Sequence, residues 1–226
     1  MKTTADNFFS ETAEEFDSGY SKSTVFKERY QVWSSLWPEY LPAEGRVLDL
    51  GCGSGVFSFA LASRGYQVTG IDGAENMIAI CNKRKKESNQ ENASFILSKI
   101  PFDKSLFDIK FDVVISSSVL EYIEDMDKVL SDVSSILQTN GIFMVSMPNS
   151  LALYRKLERL AWNVIRRPRY LKYVNHVVNR DAFDARVKGF GFELLHSQYY
   201  GNQSKLFALL PDSAASTLFV SIFKKK

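Results

Sequence analysis

Charge of one sign is nearly missing from this chain. Across 226 residues, 28 Lys and Arg balance 26 Asp and Glu, for a formal net charge of +2. A dedicated nucleic-acid binder carries a strong basic excess, so nucleic acid is not expected as a partner. Cysteine is scarce as well. Cys52 and Cys81 are the two thiols, too few for a disulfide scaffold and suited to a reducing compartment, so a cytoplasmic location is expected. With two histidines, His176 and His196, they give no ligand spacing, and no metal site is expected. No apolar run approaches the roughly 18 residues that span a bilayer. The opening residues, MKTTAD, have no apolar signal core. Internal repeats and low-complexity tracts are also missing. What remains is an ordinary globular composition, 45% hydrophobic and 24% charged, with enough length for one large core.

The pattern along the chain predicts one α/β domain over residues 1–226. Residues 1–45 read as a helical cap punctuated by Phe8, Phe9, Phe16, Tyr20, Phe26, Tyr30, Trp33 and Trp37, and ended by Pro38 and Pro42. Strands are predicted at 46–50, 67–71, 94–97, 111–115, 142–147, 192–199 and 218–223. Helices are predicted at 56–64, 74–86, 127–138, 150–165 and 180–188. Strands alternating with helices imply βαβ units and a mostly parallel, Rossmann-like sheet with helices on both faces. The last two strands leave no room for a clear crossover helix and are expected to pair antiparallel.

The first strand runs directly into Gly51-Cys52-Gly53-Ser54-Gly55 and then a helix. Glycines allow sharp turning and close backbone approach to a ligand, and ligands bind at the carboxyl ends of such strands. A dinucleotide fingerprint, G-x-G-x-x-G, would need a third glycine where Val56 stands. The observed spacing suits a cofactor without phosphate better than a pyrophosphate, which disfavours a nicotinamide-dependent oxidoreductase. A glycine-rich turn without ligand is the plain alternative. Asp72 supplies context: it ends the second strand, 17 residues beyond Gly55, where a carboxylate can accept both hydrogen bonds of a ribose diol. It could equally cap the next helix, and the two roles are compatible. Gly73 and Ala74 are small enough to leave room for an adenine, and Met77 follows on the inward face of the next helix.

These segments resemble class I S-adenosylmethionine-dependent methyltransferases. Val47–Gly55 is similar to their first motif and Val68–Asp72 to their second. Phe111–Ser116, with Val119-Leu120-Glu121-Tyr122 after it, resembles their fourth strand and following helix, and Asn140-Gly141-Ile142-Phe143 the turn into the fifth. The likeness covers residues 45–147 well and points to the small-molecule branch, similar to ubiquinone-biosynthesis O-methyltransferases. It implies a seven-stranded sheet with an antiparallel last strand. It also implies S-adenosyl-L-methionine as cofactor and S-adenosyl-L-homocysteine as product. Gly51, Gly53 and Gly55, with Cys52 among them, would line the methionine moiety, and Asp72 would hold the ribose. Ser98, Lys99 and Ile100 would border the adenine, and Ser116 and Ser117 would meet the amino-acid end. Two departures stand out. The acidic residue that many relatives carry after the third strand is replaced by Leu97-Ser98-Lys99-Ile100, and Tyr122 stands where many have histidine.

Methyl transfer from a sulfonium needs alignment and exclusion of water, and a base only if the nucleophile must lose a proton. His176 and Glu121 are the candidate bases, each weighed against a structural role, and His196 reads as structural. Tyr20, Arg29 and Tyr122 are candidate substrate contacts. The Asn/Asp-Pro-Pro-aromatic motif of adenine- and glutamine-modifying branches is replaced by Ser116-Ser117-Ser118-Val119. The expected acceptor is therefore a small metabolite, methylated on oxygen rather than nitrogen or carbon. A non-catalytic cofactor-binding protein acting through a partner is the alternative from another class.

The inserted segment 150–180 reads as a lid over the substrate site. In it Leu153, Leu157, Leu160 and Val164 form a stripe at helical spacing among Arg155, Lys156, Arg159, Arg166, Arg167, Arg169 and Lys172. Such a helix either packs over the pocket or meets a membrane surface or an anionic substrate, so peripheral membrane contact through 150–172 stays open. Acceptor identity and oligomeric state are not encoded in these motifs.

Overall fold

A computed structural model describes residues 4–202 and 209–226. The first three residues of the predicted N-terminal cap lie outside the described residues. The cap is three helices: α1 (Ala5–Glu11), α2 (Ala13–Lys22) and α3 (Thr24–Tyr40). Then β1 (Arg46–Leu50), α4 (Val56–Ala62), β2 (Gln67–Asp72), α5 (Glu75–Ser88) and β3 (Ala93–Leu97) form the first half of the sheet with its covering helices. The second half is β4 (Phe111–Ser117), α6 (Met126–Ile136), β5 (Leu137–Pro148), α7 (Leu153–Ile165), α8 (Arg180–Lys188), β6 (Phe192–Tyr200), α9 (Asp212–Ala215) and β7 (Leu218–Lys225).

The seven strands lie in the order β3-β2-β1-β4-β5-β7-β6. β1 pairs in parallel with both β2 and β4, and β7 runs antiparallel between β5 and β6. The chain therefore reverses its winding between β1 and β4, the place where open α/β sheets bind ligands. Successive residues alternate between two cores, as the period of two in a strand requires. Leu48, Val114, Phe143, Phe219 and Phe223 pack on one face with Val129, Val133 and Phe183 from α6 and α8. Val47, Val113, Ile115, Met144, Val220 and Ile222 pack on the other with Phe57, Leu61, Trp33 and Trp37 from α4 and α3. With both faces covered, β4 has to be the near-continuous apolar run that its sequence shows.

Several predicted boundaries shift, three of them for a clear local reason. Helix α3 passes through Pro38 and ends at Tyr40, since proline near a helix end sacrifices a single hydrogen bond. Helix α6 stops at Ile136 rather than Gln138, because Leu137 already pairs with Phe111. Asn140 then adopts a positive φ of 65° in the bend before Ile142. Helix α7 starts at Leu153 rather than Ser150. The preceding backbone is taken elsewhere: the Asn149 amide donates to Thr217 O, the Ser150 amide to Val178 O, and the Leu151 amide to Asn149 Oδ1 at 3.0 Å. Among the described residues between β6 and β7, α9 is a four-residue helix, and the two strands pair antiparallel.

Candidate functional site

The loop after β1 is held open by its neighbours. The amides of Gly51 and Cys52 both donate to Ile71 O, at 2.8 and 3.0 Å, tying the loop to the end of β2. Gly51 and Gly53 lie at φ 76° and 53°, a region that residues with a β-carbon rarely enter. A β-carbon at Gly51 would run into the Val119 side chain, and one at Gly53 would sit 3.2 Å from the Phe16 ring. The bare backbone is thus a cradle that side chains would fill. Beneath it the Cys52 and Cys81 thiols both donate to Gly53 O. The adjacent Cys81 and burial raise the Cys52 pKa well above its usual range, so this thiol supports the loop rather than reacting.

Asp72 completes the cradle. Its two carboxylate oxygens accept from the Gly53 and Ala74 amides, each at 2.8 Å. Burial raises its pKa from the ordinary value, against the lowering pull of those amides. An ionised carboxylate has about four acceptor positions, so two remain for a diol. Asp6 of α1 lies against Gly73, close enough that a β-carbon there would clash with its carboxylate.

Around the cradle lies a cleft of about 750 Å³, within the range of sites that enclose a small ligand. Among the predicted residues, Gly51, Gly53, Asp72, Gly73, Met77, Ile100, Ser117 and Tyr122 line it. The others stand behind the wall. Cys52 and Ala74 are buried beneath the loop, and Gly55 caps α4. Ser116 is buried with its hydroxyl on Leu50 O at 3.2 Å. Ser98 bonds Lys99 O, and the Lys99 side chain points to solvent. Asp6 and Phe9 also line the cleft without having been expected there, as do Lys172, Tyr173 and Asn175 of the segment 150–180 read as a lid. Phe9 belongs to the N-terminal aromatic series. Its use in the wall rather than in core packing depends on α1 crossing the cleft, which no local pattern encodes.

A second set of polar groups gathers next to the cleft, behind Ser117 and Tyr122. Arg29 reaches in from α3 and faces Tyr20, Tyr200, Glu121 and Tyr122. Its Nε is buried without a hydrogen-bond partner, and among the described residues no carboxylate forms an ion pair with it. Glu121 is 4% exposed and its Oε2 is equally unpartnered. Burial pushes its pKa up to about 7, against the lowering pull of its own backbone amide, Arg29 and Arg155. The Ser117 and Ser118 hydroxyls and the Trp33 indole N–H are orphaned as well. Buried polar groups are nearly always satisfied. Ser117 and Ser118 line the cleft and the other orphans stand behind its wall, an arrangement suited to a polar ligand.

The histidines stand apart. His176 Nε2 is 2.8 Å from Ile123 O, and the backbone amides of Asn175 and His176 donate to Glu121 O. The ring clasps the loop that carries Glu121 and does not line the cleft. His196 sits 3.1 Å from Gln198 Oε1 and stacks on Tyr40. No cluster of potential metal ligands occurs among the described residues.

The cradle, the carboxylate at the end of β2 and the polar chamber are the parts an adenosyl cofactor and a nearby acceptor need. Comparison with known proteins agrees. A family model described as a methyltransferase domain matches residues 42–188. YqeM of Bacillus subtilis, a methyltransferase by name, is 32% identical over 128 residues, 55% of this chain and 51% of that protein. The ubiquinone biosynthesis O-methyltransferase of Pelagibacter ubique is 30% identical over 131 residues, 58% of this chain and 51% of that protein. The chain thus spans about half the length of these curated relatives. The N-methyltransferase NodS of Bradyrhizobium japonicum, solved with S-adenosyl-L-homocysteine, shares the fold at a TM-score of 0.71 and 16% identity, covering 98% of each chain.

Proposed function

We propose, from the premise that this chain belongs to the class I S-adenosylmethionine-dependent methyltransferases, that it transfers a methyl group to an oxygen of a small metabolite. The observation that carries the reading is the cleft between β1 and β4. Its floor is a glycine cradle, its rim is the Asp72 carboxylate, and its inner wall adjoins unpartnered polar groups. The residues fit the cofactor. Gly51 and Gly53 leave backbone free for the methionine portion, Asp72 keeps acceptor capacity for the ribose, and Gly73, Met77 and Ile100 flank the place for the adenine. When bound, the cofactor supplies an electrophilic methyl group on a sulfonium.

The remaining work is done by the protein. Arg29 offers a buried cation to a carboxylate, whether of the cofactor's amino-acid end or of the acceptor. Glu121, at about 7, is poised to take a proton from an acceptor hydroxyl near neutral pH. Tyr20 and Tyr122 enclose the chamber, and α1 with the segment around Tyr173 excludes water from it. Oxygen as acceptor atom draws support from the name of the Pelagibacter ubique relative and from a base matched to a hydroxyl. The chain acts as one domain, with 1–45 and 150–180 as its two covers, in the cytoplasm.

Calorimetry with S-adenosyl-L-homocysteine and with NADH tests the cofactor. Binding of the first alone is expected, and binding of NADH alone would overturn the assignment. A methyl-transfer screen over hydroxylated and aminated metabolites then tests the acceptor atom. Turnover confined to amines would refute O-methylation.

A further inference from the structure

Helix α7 is built inside out. It spans 13 residues, Leu153–Ile165, and none of its described residues is buried as a whole. Its apolar stripe looks away from the protein: Leu153 is 38% exposed, Leu157 57%, Leu160 64% and Val164 83%. These positions recur three and four apart, so they form one continuous line. Ile165 at 62% and Leu151 at 40% extend the patch beyond it. A lone exposed leucine is ordinary, whereas a contiguous apolar stripe marks a surface that something covers.

The polar side of the helix faces the protein instead. Arg155 Nη1 donates to Glu158 Oε2 at 2.9 Å and to the Tyr170 hydroxyl at 3.0 Å, and Arg155 Nε donates to Thr217 O at 3.4 Å. The Tyr170 hydroxyl donates to Glu158 Oε1 at 2.8 Å. This network neutralises the single acidic residue of the helix and clamps α7 to the turn Arg169–Tyr173, from which Lys172 and Tyr173 reach the cleft wall. The charges that α7 itself and the two residues after it leave exposed are all basic: Lys156, Arg159, Arg166 and Arg167; the exposed Asp212 belongs to α9, which packs against α7.

We propose that α7 is a peripheral docking element for an anionic lipid bilayer. It would lie in the plane of the headgroups with the Leu157–Leu160–Val164 line immersed. An apolar line with basic residues beside it and no outward carboxylate on the helix itself is the arrangement that a negatively charged interface attracts and then holds. The sign of the charge favours lipid over a second copy of the chain, because two such faces would bring like charges together. Because the same helix is clamped to the cleft wall, docking would place the cleft mouth at the lipid interface.

The test is flotation of the purified chain with vesicles, and it is independent of whether the protein transfers methyl groups. Vesicles of phosphatidylcholine with phosphatidylglycerol should carry the protein, and pure phosphatidylcholine should carry far less. Raising the salt from about 0.1 M to about 1 M shortens the screening length from about 10 Å to about 3 Å and should release it. The double variant Leu157→Glu/Leu160→Glu should lower partitioning at least about tenfold. It should leave the melting temperature and S-adenosyl-L-homocysteine affinity unchanged, since neither side chain has a buried contact to lose. Equal partitioning of parent and double variant, or no flotation with anionic vesicles, overturns the proposal. So does concentration-dependent dimerisation that the double variant abolishes while flotation persists.

Discussion

Glu121→Gln should remove a pH-dependent cost to folding. The Glu121 carboxyl is buried, and that burial pushes its pKa from 4.5 up to about 7. Between those two values the folded protein holds a proton that the unfolded chain has released. Stability therefore falls as pH rises through this window, and the whole penalty is present above it. At about 1.4 kcal/mol per pKa unit, the penalty is about 3 kcal/mol at pH 8, a large share of the roughly 5–15 kcal/mol that holds a domain together. Asp49 adds a similar slope, because burial raises it from 3.8 to about 7 against the lowering hydrogen bond from Ser58 at 2.6 Å. The wild-type curve carries both slopes, and the difference between wild type and Glu121→Gln isolates one. Urea denaturation at pH 5, 6, 7 and 8 reads it. The variant should already be ahead of wild type by about 1 kcal/mol at pH 5 and by about 3 kcal/mol at pH 8. Its activity should fall at least about a hundredfold if the carboxyl is the base. Parallel stability curves over the whole range would refute the reasoning, because they would mean that Glu121 titrates alike in the folded and unfolded chains.

Further substitutions separate ligand contacts from scaffold. Asp72→Ala should weaken S-adenosyl-L-homocysteine binding by at least about tenfold in calorimetry, from the loss of charge-assisted hydrogen bonds; unchanged affinity would show that the end of β2 is misassigned. Gly53→Ala forces a β-carbon into a left-handed backbone against Phe16, so it should cost about 1–2 kcal/mol in urea denaturation and abolish cofactor binding; a variant with wild-type stability and affinity would remove the cradle argument. Arg29→Met should lower ligand affinity while leaving stability equal or higher, since replacing an unpaired buried charge with an apolar chain is often neutral or favourable; a steep loss of melting temperature with unchanged binding would make Arg29 structural. His176→Ala should cost about 1 kcal/mol through the lost hydrogen bond to Ile123 and leave the shape of the pH–rate profile intact; loss of one limb of that profile would restore it as a base.

The cofactor half of the site was legible because its parts are close in sequence. The β1 strand, the Gly51–Gly55 turn, α4 and the end of β2 form one continuous βαβ unit, and its geometry follows from local rules. The acceptor half was legible only as separate candidates, Arg29, Glu121, Tyr20 and Tyr122, without the way they meet. Arg29, Glu121 and Tyr200 come from three remote segments and meet only when α3 packs over the ends of β4 and β6, so their shared burial leaves no periodic trace. Asp6 and Phe9 enter the wall for the same reason. Helix α7 shows a different limit. Its stripe was visible as a 3.6-residue pattern, but a pattern does not say which face meets the protein. The facing is decided by Tyr170 and Thr217, which give Arg155 and Glu158 partners on the inside.

The two halves also differ in what holds them. The cradle is held mostly by its own hydrogen bonds, with Asp72, the Gly51 and Cys52 amides and the two thiols engaged and the Ser54 hydroxyl left unpartnered. The acceptor chamber is the reverse, a buried cation and a buried carboxyl without hydrogen-bond closure. Unsatisfied buried groups cost the free protein stability and are retained where they serve a ligand. That asymmetry orders the functional steps. A preformed cradle can take the cofactor with little rearrangement, whereas the chamber reaches its electrostatic balance only when an anionic or proton-donating group enters it. Under the proposed function, where Arg29 meets the acceptor rather than the cofactor's amino-acid end, the acceptor carries negative charge and presents a hydroxyl to Glu121.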